Sequence, residues 1–215
     1  MFTMMIKPLI LSLGALATAG AVSLLDRGSP ARQLAQPAGT GSVPVLVELY
    51  QSQGCSSCPP ANANLNAIAG RKDVIALSFA VTYWDYLGWK DIFASPAYTQ
   101  RQWDYARHYD RGNVATPQIW INGRTTIVGY DARELASSIA AERSNGGPAL
   151  ALTGDSVRVG RSNAPAGGAD VWVARYDPRV IQVPIRAGEN GGRTLPHRNI
   201  VRQLVKIGHW SGPAT

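Results

Sequence analysis

Cys55 and Cys58, two residues apart and the only cysteines in the chain, constrain the fold more than any other feature. Residues 45–50, Val-Leu-Val-Glu-Leu-Tyr, precede them as an apolar run of strand length. Behind them, Ala61, Leu65, Ile68 and Ala69 recur at helical spacing. Strand, Cys-x-x-Cys, helix is the context of a redox dithiol. A disulfide across so small a loop adds little chain-entropy stabilisation, and a chain of 215 residues needs no staple. The pair is suited to being made and broken.

A thiol attacks as thiolate, and a helix N-terminus favours that anion through its unpaired N–H groups and positive dipole end. Cys55 is therefore the expected nucleophile, open to a substrate. Cys58, one turn further in and more covered, is expected to attack the mixed disulfide and release the product. Pro59 and Pro60 follow directly. With Cys58 as N-cap both prolines fall in the permissive first turn, whereas a start at Ser56 puts Pro60 where a helical hydrogen bond is lost. Ser56 and Ser57 bring hydroxyl donors but no cation.

Lys7 precedes an apolar stretch rich in small residues, so residues 1–25 read as an export signal. The uncharged run from Pro8 to Leu25 leaves an uncleaved anchor of marginal spanning length as the alternative, with membrane association through this segment. Residues 26–42, rich in Gly, Pro and Ser, form a flexible linker. Either way the body faces an oxidising compartment, periplasmic or secreted. The formal charge of +7 is uneven: residues 43–150 carry nine basic and nine acidic side chains, residues 151–215 nine and four. The late basic residues are nearly all single, scattered arginines with no interleaved aromatics, so no nucleic-acid partner is expected. No cofactor is expected either.

Residues 73–81 are nearly all apolar, the mark of a central strand covered on both faces. A helix joins this strand to the first, so the two should be parallel, with Cys55 at their carboxyl edge. Tyr83, Trp84, Tyr86, Trp89 and Phe93 follow on that edge. They form either a wall gripping a substrate peptide or rings packed into the core; Tyr83, Trp84 and Trp89 are the candidate substrate contacts. Ser95 caps a helix that begins at Pro96 and runs to about Tyr109. Thr116-Pro117 stands immediately before a strand, where a cis bond makes a tight bend. Asn122-Gly123 signals a type I′ hairpin turn. Asp131 caps a last helix over 132–143, stopped by Asn145-Gly146-Gly147-Pro148. From residue 149 onward strand signals dominate, at 149–152, 156–159, 171–176, 180–185 and 199–207. They predict an antiparallel extension that either lengthens the sheet or forms a separate layer.

This order of strand, Cys55-Ser56-Ser57-Cys58, helix, strand, helix, Thr116-Pro117, hairpin and helix resembles the thioredoxin superfamily. The expected class is α/β: a thioredoxin-like domain over residues 43–147 with a β-rich, antiparallel C-terminal extension over 148–215. The resemblance implies a cis Pro117 that, with Thr116, faces the dithiol and pairs with the substrate chain. It also implies that Glu48 is the buried carboxylate accepting the proton of the second cysteine. Gly54 stands where that superfamily usually carries tryptophan. More narrowly, the run from Glu48 to Pro60, the run from Tyr83 to Asp91, Thr116-Pro117-Gln118 and Gly188-Glu189-Asn190-Gly191-Gly192-Arg193 are similar to a bacterial exported thioredoxin-like family of unassigned function, domain of unknown function family 1223.

The leading expectation is an exported thiol-disulfide oxidoreductase that acts through Cys55 and Cys58 on cysteine-containing proteins or small thiols. Two alternatives stay open. One is a binding or scaffold module whose disulfide is permanently closed. The other is a copper or zinc carrier, for which His108, His197 and His209 offer no ligand spacing to the pair.

Overall fold

The computed structural model describes residues 43–142 and 147–215. The expected export signal or anchor at 1–25, the expected linker at 26–42 and the expected helix stop at Asn145-Gly146 lie outside the described residues. The first strand, β1 (Val45–Gln51), leads through the cysteines into α1 (Cys58–Ile68) and back along β2 (Val74–Ala80). β1 and β2 are parallel, in register from Val45 opposite Val74 to Gln51 opposite Ala80. A single 3-10 turn at Asp85–Leu87 interrupts the aromatic loop before α2 (Pro96–His108), where Ser95 Oγ accepts from Ala97 N at 3.3 Å. β3 (Gln118–Ile121), β4 (Thr125–Ile127) and α3 (Ala132–Ala141) complete this half. Asn122 and Gly123 both take positive φ, and Arg124 N donates to Ile121 O at 3.0 Å, the closure expected of a type I′ turn.

Alternation along β1 sorts the helices onto two faces. Val45, Val47 and Leu49 pack with Ala61 and Leu65 of α1 and with Leu135 and Ile139 of α3. Tyr50 packs on the other face with Phe79, Tyr98 of α2 and Trp120. The sheet is mixed: β3 runs antiparallel to β1, and β4 antiparallel to β3. The parallel β1-β2 pair and the β3-β4 hairpin are those expected from the sequence.

The C-terminal part contributes β5 (Leu150–Thr153), β6 (Ser156–Val159), β7 (Ala169–Asp177), β8 (Ile181–Pro184), β9 (Thr194–His197) and β10 (Ile200–Trp210). The two alternatives left open by its sequence are both realised. β10 joins the main sheet beside β2, parallel to it at Ile200 and Ser78, with β7 antiparallel outside it, so the order is β4-β3-β1-β2-β10-β7. The pairs β5-β6 and β8-β9 form separate two-stranded ribbons. Asn199 pins the junction: its carbonyl accepts from Ser78 N at 2.9 Å and its Nδ2 donates to Ala76 O at 2.8 Å. Val183, Ile185 and Leu195 of the β8-β9 ribbon pack with Ala80, Phe93 and Ile200 in a third apolar cluster. That cluster fastens the ribbon beside the carboxyl edge of β2. Among the described residues no helix is long and apolar enough to cross a membrane.

Candidate functional site

Cys55 and Cys58 are joined in a disulfide between the end of β1 and the start of α1. The loop that carries Cys55 is held at every residue. Val81 N donates to Gln51 O at 2.9 Å, Cys55 N to Ser52 O at 3.2 Å, and Gly54 N to Ser52 Oγ at 3.1 Å. Gln53 N donates to Asp91 Oδ2 at 2.8 Å, and Trp89 Nε1 donates to Gln53 Oε1 at 2.8 Å. Two oxygens face the first sulfur: Ser57 Oγ lies 3.3 Å from Cys55 Sγ, and Thr116 O lies 3.7 Å from it. The Thr116-Pro117 bond is cis. Ser57 Oγ also donates to Thr116 O at 3.5 Å, so the hydroxyl stands between the sulfur and the bend.

Two expectations about the cysteines need correction. The helix begins one residue earlier than expected, with Ser57 as N-cap, no side-chain cap and prolines just inside its first turn. Cys55 stands in the preceding loop, with Ser57 Oγ 3.3 Å from its sulfur. Nor does Cys55 stand open while Cys58 is covered: both residues have 0% of their surface exposed.

Glu48 does not serve the second cysteine. It occupies the face of β1 shared with Tyr50, whereas α1 and Cys58 lie on the face of Val47 and Leu49. Its carboxylate is buried and taken by Arg101 Nε at 2.9 Å and by the Tyr105 hydroxyl, both from α2. Burial and that carboxylate together push the Tyr105 phenol well above its usual range. The polar pair on the α1 face is instead Gln51 and Asn62, with Asn62 Nδ2 donating to Gln51 Oε1 at 3.2 Å. Neither can take up a proton.

The aromatic stretch divides its labour. Trp84 Nε1 donates to Thr116 Oγ1 at 2.6 Å, fastening the Thr116-Pro117 bend. A Cβ at Gly54 would stand 3.3 Å from Trp84 Cβ, so the glycine leaves the space that this side chain takes. Trp89 holds the dithiol loop through Gln53. Tyr83 turns toward α2, where its hydroxyl donates to Gln102 Oε1 at 3.2 Å and burial pushes its pKa up to about 12. Gln102 Nε2 in turn donates to Ala115 O and Gln118 Oε1, both at 2.8 Å. Tyr83 thus supports the bend from behind rather than lining the mouth, while Tyr86 and Ile92 are the exposed apolar residues of the stretch.

The residues missed by sequence reasoning come from the turn between β8 and β9. Asn190 Nδ2 donates to Gln53 O at 2.9 Å and to Cys55 O at 2.8 Å, and Asn190 is buried. Glu189 Oε2 accepts from Ser56 N at 2.9 Å and from Ser56 Oγ at 2.7 Å. The Ser56 N–H and hydroxyl hold the Glu189 carboxyl below its usual range. Gly188 touches the dithiol loop: a Cβ there would stand 3.6 Å from Gly54 Cα. The only signal in the sequence was the unusual run Gly188-Glu189-Asn190-Gly191-Gly192, which reads as a turn. Asp91 was equally silent; burial raises its carboxyl to about 6 despite the N–H groups of Gln53 and Phe93.

Among the described residues, no group of three or more His, Cys, Asp or Glu side chains comes together as a metal site. An open cleft of about 610 Å³, lined by Arg101, Asp104, Tyr105, His108 and Asp170, includes neither cysteine.

Comparison with known proteins places this architecture. No curated protein matches the chain. The X-ray crystal structure of protein AGR_C_4864 from Agrobacterium tumefaciens is similar to it, with 34% sequence identity and a TM-score of 0.68 over 82% of this chain and 78% of that one. The family model described as protein of unknown function (DUF1223) matches residues 46–215, which span the dithiol, the Thr116-Pro117 bend and the turn that covers them. The chain belongs to the DUF1223 family.

Proposed function

We propose that this protein is a thiol-disulfide oxidoreductase in which Cys55 is the attacking thiol and Cys58 the resolving one. The observation that carries the reading is the pair of oxygens on the first sulfur, Ser57 Oγ at 3.3 Å and Thr116 O at 3.7 Å. The Ser57 hydroxyl also lies 3.5 Å from Thr116 O, so it links the sulfur to the bend that faces it. In the reduced protein the Cys55 thiolate attacks one sulfur of a substrate disulfide. The S–S bond breaks, and its electron pair leaves on the other substrate sulfur, which takes a proton. Cys58, giving its proton to water, then attacks Cys55 Sγ; the substrate departs as its second thiol, and the Cys55-Cys58 disulfide closes. Two electrons pass from protein to substrate. The reverse sequence oxidises a substrate dithiol. Thr116, Pro117, Trp84 and Trp89 surround this centre and are the proposed substrate contacts. The substrate class is a cysteine-containing protein or small thiol in an oxidising compartment, in keeping with the reading of residues 1–25 as an export signal or anchor.

A second reading is favoured by one observation, the complete burial of both cysteines. It makes the disulfide a permanent crosslink. Equilibration with glutathione separates the two. Redox turnover requires a potential above about −300 mV, and a lower value marks a structural bridge. A Cys58→Ser variant, reduced and exposed to glutathione disulfide, is expected to hold one glutathione on Cys55. A variant that captures none sinks the oxidoreductase reading.

A further inference from the structure

We propose that residues 186–191 are a lid over the Cys55-Cys58 disulfide, and that its opening controls access to the sulfurs. The inference rests on the redox reading for its purpose but not for its test. A thiolate must contact a sulfur to attack it. With both cysteines fully covered, no reactant reaches either one in the closed arrangement. Something in the enclosure must move.

The elements around the disulfide are not equally anchored. The aromatic loop is tied by Asp91 and Tyr83, and the Thr116-Pro117 bend by Trp84 and Gln102. The 186–191 segment is different. All four hydrogen bonds from its Glu189 and Asn190 side chains to the opposite wall end on residues 53–56, the dithiol loop itself. Its roots are fixed where Ile185 N donates to Arg193 O at 2.8 Å and Gly192 N donates to Ile185 O at 2.9 Å. Between the roots the tip keeps its own shape, since Gly191 N donates to Gly188 O at 3.1 Å and Arg193 Nη1 holds Asn190 Oδ1 at 2.7 Å. Gly188 and Gly192 sit at φ +75° and +83°, where glycine alone is unstrained. The tip of the segment lies between two glycines and is built to swing; every side-chain hydrogen bond that holds it to the opposite wall ends on the dithiol loop, with Gly188 packed beside Trp89.

Asn190 and Glu189 are positioning residues in this scheme. The two amide bonds of Asn190 close the lid over the Cys55 carbonyl, and Glu189 latches it to the Ser56 amide. The test is the rate at which dithiothreitol reduces the oxidised full-length chain. One dithiothreitol thiolate attacks a cysteine sulfur and forms a mixed disulfide. Its second thiol then closes the ring, leaving oxidised dithiothreitol and two cysteine thiols.

Removing two hydrogen bonds with Asn190→Ala is expected to speed reduction by roughly ten- to thirty-fold. Glu189→Ala, at an exposed residue that the core does not need, is expected to speed it by about threefold to tenfold. It should also release the Ser56 amide to faster hydrogen exchange, a readout that a general loss of stability would not confine to one residue. Rates within twofold of wild type in both variants, with Ser56 exchange unchanged, overturn the lid. Faster reduction in a protein whose glutathione potential marks a structural bridge keeps the lid and removes the redox reading instead.

Discussion

His197 offers the sharpest test of the packing around β9. The side chain is fully buried, its ring sits edge-on to Phe93 with centroids 5.8 Å apart, and neither ring nitrogen has a protein hydrogen-bond partner. Burial alone lowers its pKa from 6.5 to about 4. Between these values the unfolded chain binds a proton that the folded chain refuses, so stability falls on acidification. The shift corresponds to about 2 kcal/mol lost between pH 7 and pH 5, and about 3 kcal/mol lost below pH 4. Asp91 works the other way. Its carboxyl is raised from 3.8 to about 6, so the folded state takes up the proton first and acidification from pH 7 to pH 5 returns about 1 kcal/mol. From these two groups the wild-type profile should be nearly flat in this window. Replacing His197→Leu removes one side of the balance, and the variant should become more stable at pH 5 than at pH 7. Urea unfolding at pH 5, 6 and 7 measures it, because any constant packing cost of the substitution cancels between pH values. Parallel profiles for the two proteins refute the assignment of His197 as a buried neutral ring.

The Glu48 correction predicts a division between stability and reactivity. Glu48→Gln leaves Arg101, whose side chain is only 22% exposed, without its anion, and should cost about 3 kcal/mol by chemical unfolding; the pH profile of cysteine alkylation in the reduced protein should not move. A shifted Cys58 profile would return the carboxylate to the dithiol. Ser57→Ala should raise the midpoint of the Cys55 alkylation profile by about one pH unit, the worth of one hydrogen bond to a thiolate. An unmoved midpoint removes Ser57 from the chemistry.

The strand-helix-strand unit was legible because its signals are local. A buried strand, a helical repeat and two prolines at a helix start need no distant partner to be read. The hairpin was legible for the same reason, since Asn122-Gly123 fixes its own backbone. Glu48 was misread because its role depends on the face of β1, and the partners that decide it, Arg101 and Tyr105, lie 53 and 57 residues away. Tyr83 stayed open between wall and core for the same reason: an aromatic beside an active edge looks alike whether its hydroxyl meets a substrate or Gln102. The closure of the dithiol was beyond local reading altogether, because Asn190 reaches Cys55 across 135 residues.

Why that closure falls to the C-terminal strands follows from lengths. β9 runs along α1 in the same direction: Asn66, near the helix end, donates to Pro196 O at 3.2 Å, and Arg198 Nη1 reaches Asn66 O at 3.4 Å. Asn66 stands eight residues after Cys58, about 12 Å along a helix. Pro196 stands three residues after Arg193, about 10 Å of extended chain, to which the turn closed by Arg193 N donating to Asn190 O adds up to about 7 Å. A strand pinned at the helix end therefore has ample reach to overhang the helix start, and its turn must land on the cysteines. Pro196, Arg198 and Asn199 hold the ribbon to α1 and β2, whereas Glu189 and Asn190 hold only the mouth. Anchoring and covering are thus carried by different residues of one ribbon, so the cover can lift while its anchor stays in place.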